Sequence, residues 1–436
     1  MRMVDLIEKK KNSEALSEAE ISFIVEGFTH GTIPDYQMAA WLMAVCFAGM
    51  NEDETAWLTH EMAHSGDVLD LSMISGPTVD KHSTGGVGDK TTLIVAPLAA
   101  ALGMYVAKMS GRGLSHTGGT IDKLESIQAF ETERTRDAFM EQVSTHGVAV
   151  VGQSEGLAPA DKKMYALRDV TGTVASLPLI ASSIMSKKIA SGARHIVLDV
   201  KVGDGAFMNT LDDARALAKA MVEIGAKLGR SVCAVLSDMD QPLGRAIGNA
   251  LEVRESIDVL RGGGPADLRD LSVYLTAKLV QLVEGGTLDD ATKRVSHALA
   301  TGAALKKFKE MVISQGGVWG DDEIYPEMHA APVVRTITMS SAGYLSSIPA
   351  RALGTIAMQL GAGREEKTSS IDHRVGLILF KKAGDEVRVG DEFAEIHAAT
   401  EEDADRAALQ LAVWMKTSSH AFAKRPLILD EINAFG

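Results

Sequence analysis

The densest concentration of chemistry-bearing side chains lies between Asp80 and Glu125, in two glycine-rich turns. The first is Asp80-Lys-His-Ser-Thr-Gly-Gly-Val-Gly-Asp89. The second is Lys108-Met-Ser-Gly-Arg-Gly-Leu-Ser-His-Thr-Gly-Gly-Thr120, and each joins an apolar run to a predicted helix. Glycines let backbone N–H groups approach a ligand, and the first turn of a helix adds unpaired donors with partial positive charge. Lys81, Lys108 and Arg112 supply cationic donors, while Ser83, Thr84, Thr92, Ser110, Thr117 and Thr120 supply hydroxyls. That set suits a tetrahedral oxyanion such as phosphate. Neither turn is a common nucleotide loop: Asp89 precedes Lys90 where GxxxxGK[ST] needs glycine, and GxGxxG is absent from both. One such turn reads equally well as a tight connection with capping hydroxyls; two, each with a histidine, favour an anion cradle.

The elements that position these turns follow from pattern and composition. A chain of 436 residues exceeds one ordinary core, so two or three domains are expected. The net charge of −14 argues against a nucleic-acid surface. Cys46 and Cys233 are too few for a disulfide framework, which points to a reducing, cytoplasmic setting; no signal peptide or bilayer-spanning run is read. Residues 1 to about 70 read as helices, with a Ser17–Glu20 capping box before Ile21, Ile24, Val25 and Phe28. Tyr36 to Met50 is apolar nearly all round, as in a bundle or a subunit contact. His60-Glu-Met-Ala-His64 spells HExxH, but no further ligand follows at zincin spacing, so a solvated or packing pair is the better reading.

From Thr78 apolar runs at 91–102, 104–107, 148–151, 195–202 and 231–238 alternate with helices. This predicts an α/β domain with a mainly parallel central sheet, whose ligands bind at the carboxyl ends of the strands. Ser183 and Lys187 fall one helical turn apart, and with Arg168 they present groups able to read the carbonyls and ring nitrogen of a pyrimidine; a solvated basic face is the competing reading. Residues 262 to about 332 read as helices. Beyond Val333 short strands separated by Gly-Asp turns predict a C-terminal β-rich α+β part resembling the small carrier fold, with no exposed hairpin lysine to modify.

The run Ser110-Gly-Arg-Gly-Leu-Ser-His-Thr-Gly-Gly-Thr-Ile-Asp-Lys-Leu-Glu125 resembles the signature of the thymidine and pyrimidine-nucleoside phosphorylases, and Lys81–Asp89 resembles their phosphate loop. Segments near 161–205 and 335–397 extend the likeness over nearly the whole chain. The resemblance implies a small all-helical domain (1–70, joined in space by about 160–193), a large α/β phosphate-binding domain (71–332) and a C-terminal α+β domain (333–436). It implies a homodimer through the N-terminal helices. The implied reaction is reversible phosphorolysis, in which phosphate attacks the sugar C1′ of a pyrimidine nucleoside to release the base and a sugar 1-phosphate, with no organic cofactor.

In that scheme Lys81, His82, Ser83, Thr92, Lys108, Met109, Ser110 and Thr120 bind phosphate; Arg168, Ser183 and Lys187 bind the base; and His82, Arg168 and Lys187 are catalytic. A monovalent cation such as potassium is implied on the carbonyls of Gly88, Leu243 and Ala246 and the Glu255 carboxylate. The departure is Lys90, where the family usually has threonine, and its ammonium would repel or replace the ion. Lys108 marks the broad enzymes that accept uridine and deoxyuridine as well as thymidine, where strict thymidine enzymes have an apolar residue. The alternatives are a strict thymidine phosphorylase and a non-catalytic nucleoside-binding protein. The fold is also similar to that of anthranilate phosphoribosyltransferase, whose magnesium chemistry needs acidic ligands that these turns lack.

Overall fold

The computed structural model describes residues 1–113, 118–154, 156–320, 324–366 and 369–433. Ser115, His116 and Thr117 of the second turn lie outside them. The chain opens with helices α1 (Met3–Lys11), α2 (Glu18–Thr29), α3 (Asp35–Ala48) and α4 (Glu52–His64). The Ser17–Glu20 capping box starts α2, and a second box, Asn51–Glu54, starts α4. Then follow β1 (Val79–Ser83), α5 (Thr91–Ala101), β2 (Val106–Ser110), α6 (Thr120–Leu124), α7 (Arg136–His146), β3 (Val148–Gly152), α8 (Pro159–Thr171), α9 (Leu177–Ala190), β4 (His195–Val202), α10 (Leu211–Lys227) and β5 (Ser231–Asp238).

Strand β1 pairs in parallel with β4, β4 with β5, and β2 with β3. Between β1 and β2 an isolated Thr78–Tyr105 bridge is the contact point, so the sheet parts beyond Val79. The order across both halves is therefore β3-β2-β1-β4-β5, with the residues after Val79 and Val106 lining the opening. Two expectations change here. The run 91–102 is itself the helix α5: buried on every side, it carries no amphipathic signal to distinguish it from a strand. Conversely, Asp80 to Ser83 belong to β1 and Lys108 to Ser110 to β2, so these residues stand on a sheet and not on free loops.

The remainder comprises β6 (Ala246–Ile247), α11 (Asn249–Leu260), α12 (Ala266–Glu284), α13 (Leu288–Ala300), α14 (Ala303–Ser314), β7 (Val333–Thr338), β8 (Gly343–Leu345), α15 (Ala350–Ala357), β9 (Gly376–Leu379), β10 (Glu386–Val387), β11 (Glu392–Ala398), α16 (Glu401–Ala412), β12 (Thr417–Ser418) and β13 (Ile428–Asn433). An antiparallel sheet of order β6-β9-β11-β7 and a smaller one of order β10-β8-β12 build the C-terminal part. That part shares strands with the central domain. Strand β6 enters it from the central domain, and β13 leaves it to pair antiparallel with β5.

Ala160, Met164 and Leu179 share a core with Phe28, Trp41 and Leu42, so α8 and the start of α9 pack into the helical bundle. Further along α9, Ala181 and Met185 pack instead with β4, α10 and β5. Helix α9 thus belongs to both layers, and it carries Ser183, Lys187 and Lys188. Among the described residues no helix is long and apolar enough to cross a membrane.

Candidate active site

Strands β1 and β2 bring their C-terminal residues together at the opening of the sheet. Lys81 is buried; its Nζ donates to Thr91 Oγ1 and lies 3.3 Å from Asp199 Oδ2 and 3.9 Å from Asp89 Oδ1. Asp80, also buried, is held from two sides, by Lys108 Nζ at 3.1 Å and by Lys188 Nζ of α9 at 2.7 Å. Lys201 completes the network, 2.8 Å from Asp199, whose other oxygen accepts from Ser237. Four ammonium groups, of Lys81, Lys108, Lys188 and Lys201, therefore face three carboxylates, of Asp80, Asp89 and Asp199. A low-dielectric site with surplus positive charge is stabilised by an incoming anion.

The titration behaviour follows from this crowding. Burial lowers the Lys108 pKa, Asp80 raises it and Lys188 lowers it, leaving it at about 7. Burial and the charges of Lys188 and Lys108 push half-buried His82 well below an ordinary imidazole, so it is neutral at pH 7. Burial alone would raise Asp89, but Lys81 and Lys201 outweigh it and hold the carboxylate well below its usual range.

The sequence-predicted phosphate residues divide into groups. Lys81, Thr92 and Lys108 line one small cavity of about 10 Å³, room for no more than a water. Met109 and Ser110 face instead a cleft of about 760 Å³ at the ends of β2 and β3, which Asp67, Leu69 and Leu157 border from the other side. The Ser83 hydroxyl donates to Asp89 and accepts from Gly85 N–H. Thr120 opens α6, a helix of 5 residues. Arg112 does not join the cationic set: exposed, it is clamped by Glu125 and lies 3.5 Å from Asp122.

The base-binding candidates are brought close but are engaged. Lys187 donates to Ser183 O at 3.0 Å and Ser183 Oγ at 3.2 Å, and pairs with Asp161. Arg168, buried, donates to the carbonyls of Thr173, Leu179 and Val174 at 3.2, 3.0 and 2.8 Å, which uses three of its five N–H groups.

Sequence reasoning missed Asp80, Asp199, Lys188 and Lys201 as site residues. Asp199 and Lys201 left a signal, charged residues two apart in the otherwise apolar run His195–Val202, which a strand buried on both faces tolerates only when paired. Arg364, which reaches Asp122 at 2.8 Å from the C-terminal part, left none.

The oxygens expected to hold a cation are engaged by Lys90. Its Nζ donates to Ala246 O at 2.8 Å, to Leu243 O at 3.3 Å and to Glu255 Oε2, while its backbone N–H donates to Gly88 O at 3.0 Å. All four oxygens read as cation ligands are thus hydrogen-bonded by one residue, and the site does not fit an added metal ion. In the HExxH stretch Glu61 accepts from Ser22, and the His60 and His64 ring centroids lie 4.1 Å apart.

A helical bundle joined to a parallel-sheet domain with a cluster of buried lysines at the strand ends is the architecture of a glycosyl transferase. The family model of the glycosyl transferase α/β domain matches residues 75–305, that of the helical bundle domain residues 4–66, and that of the pyrimidine nucleoside phosphorylase C-terminal domain residues 344–417. Pyrimidine-nucleoside phosphorylase of Geobacillus stearothermophilus is 54% identical over 99% of this chain and 100% of its own. The Staphylococcus aureus (strain N315) protein of that name is 50% identical over 99% of both. The chain belongs to the pyrimidine-nucleoside phosphorylase family. Its fold is also that of anthranilate phosphoribosyltransferase from Thermus thermophilus, at a TM-score of 0.59 and 19% identity, over 71% of this chain and 98% of that one.

Proposed function

We propose that this protein is a pentosyltransferase that catalyses phosphorolysis of pyrimidine nucleosides, uridine, thymidine and deoxyuridine, to free base and (2-deoxy)ribose 1-phosphate. The observation that carries the reading is the surplus of buried ammonium groups at the ends of β1 and β2, tied by the Lys188–Asp80 pair to the helix bearing Ser183 and Lys187. Phosphate is drawn to the ammonium groups of Lys81 and Lys108, with Ser83, Thr92, Ser110 and Thr120 as hydroxyl donors, and the strand ends part to widen a cavity that as it stands holds only a water. Holding two reactants in line removes about 7–11 kcal/mol of barrier in ideal cases. His82, neutral before the anion arrives, donates a hydrogen bond to the departing base; phosphate beside it favours its charged form.

The pyrimidine carbonyls are read by Lys187 and Ser183. All three Lys187 N–H groups are already spent, so a carbonyl takes the place of one acceptor, and charge growing on the leaving base is met by an ammonium already in position. Arg168 supports this from its two remaining N–H groups. Ultraviolet detection of free base from uridine and thymidine, each with and without phosphate, tests the reading. Phosphate-dependent release from both is expected; release from thymidine alone moves the specificity to the strict enzyme, and release from neither overturns the activity.

A homodimer through α3 is part of the same proposal. Tyr36, Ala40, Met43 and Phe47 form an exposed stripe on one face of that helix, with Phe47 87% exposed. Phe47→Asp is expected to shift the protein from dimer to monomer in analytical ultracentrifugation. The unpaired Cys46 and Cys233 suit a reducing, cytoplasmic compartment.

A further inference from the structure

The turn from Thr84 to Asp89 that follows β1 must be held in shape before any anion arrives, and the chain does this with a charge of its own. Lys90 is buried, and its ammonium has three N–H groups for three acceptors: Leu243 O, Ala246 O and Glu255 Oε2. The second Glu255 oxygen accepts from the N–H groups of Arg245 and Ala246 at 2.9 and 3.1 Å, so the carboxylate is also fully engaged. Two glycines close the walls. A Cβ at Gly88 would lie 2.5 Å from Leu243 O, and one at Gly244 would lie 2.4 Å from Glu255 Oε2 and 3.1 Å from Lys90 Nζ. Both have positive φ, which favours glycine again.

The surrounding charge is already balanced. Lys382 Nζ lies 3.1 Å from Asp267 Oδ2, which also accepts from Gly244 N–H at 3.2 Å. Lys90 and Lys382 therefore face Glu255 and Asp267, two positive groups against two negative ones. An added metal ion would leave an uncompensated charge in a buried place and would find its oxygens taken.

We infer that Lys90 is a tethered replacement for a monovalent cation: its ammonium fastens the first glycine turn to the 243–255 segment and makes the protein independent of potassium. The physical gain is local concentration, since a covalently attached ion is present at any salt composition, whereas a free ion binds only as its concentration allows. Lys90 is a positioning residue, because it acts through Gly88 and the start of α5, where Thr91 accepts from Lys81.

The test compares thermal midpoints in potassium, sodium and choline chloride at equal ionic strength, a readout independent of whether the nucleoside reading is right. The wild-type midpoint is expected to be the same in all three salts, and the KM for phosphate, measured with uridine, to change less than about twofold, within the scatter of surface screening. Lys90→Thr is expected to lose several degrees in choline and to regain most of them in potassium but not in choline, with KM for phosphate following the midpoint. Lys90→Met, which keeps the stem and fills the space, is expected to stay low in every salt. A wild-type midpoint that rises specifically with potassium overturns the proposal, as does a Lys90→Thr midpoint in choline equal to that of the wild type. Should Lys90→Thr fail to fold, the wild-type salt comparison decides alone.

Discussion

Two buried lysine clusters sit at either end of the first glycine turn, and they are built to opposite ends. Around Lys90 every donor has an acceptor and every charge a partner, so nothing is left for a ligand. Around Lys81, Lys108, Lys188 and Lys201 the ammonium groups outnumber the carboxylates, and two groups, Lys108 and His82, are pushed toward their neutral forms, first by burial and then by neighbouring ammonium groups. A saturated cluster fixes a loop; an unsaturated one waits for an anion. Burial and charge count alone separate the two roles, although both read in sequence as lysines beside glycines.

The comparison breaks most sharply at Lys90. Lys90→Met should cost about 3–5 kcal/mol by stranding Glu255 without a counter-charge, whereas the paired change Lys90→Met with Glu255→Gln, which removes the charge but keeps an acceptor for the Arg245 and Ala246 N–H groups, should recover most of that loss. Denaturant unfolding of the three proteins checks this; equal losses in the single and double variants would mean the pair is not the source. At the other cluster Lys81→Ala should leave the fold in place but lower kcat/KM for phosphate-dependent uridine cleavage by about 10²–10³-fold. Steady-state kinetics with unchanged circular dichroism would separate the two outcomes.

A pH experiment sharpens the contrast further. Sulfate keeps its double charge near neutrality, so it reports on the protein alone. The free Lys108 titrates at about 7, and a bound anion raises that value. Between the two values the complex holds more protons than the free protein, so sulfate affinity should fall as pH rises through 7, with a slope of up to about one log unit per pH unit. Calorimetry in buffers of different ionisation heat should record proton uptake, reduced in Lys108→Met. The smallest effect is expected at Arg112. As an exposed partner of Glu125 it is worth about 0.2–1 kcal/mol, and Arg112→Gln should leave the KM for phosphate nearly unchanged.

What could be read early and what could not follows a physical line. The two turns, the capping box before α2 and the alternation of strands and helices are local, because they depend on residues within a few positions of one another. Helix α5 was harder, since a helix covered on all sides loses the periodic polar face that betrays a helix. Lys188 stood in plain view beside Lys187, yet nothing local distinguishes a lysine on a solvated face from one buried against Asp80, 108 positions away in the chain. Lys187 and Arg168 were recognised as candidates, but their engagement with Asp161 and with three carbonyls is a property of the packed helices.

By itself the amino-acid sequence determined the kind of chemistry: glycine turns rich in lysine and hydroxyls for an oxyanion, a parallel α/β domain to carry them, and a further lysine, Lys90, directly after the first turn. Only the tertiary structure decided which lysines face an anion and which are already satisfied. It also carried β13 back to the central sheet and gave one helix, α9, to both the bundle and the phosphate domain. The reason is that residue type sets what a side chain is able to bind, whereas burial and the count of opposing charges, which come from segments far apart in the chain, set whether it is free to do so.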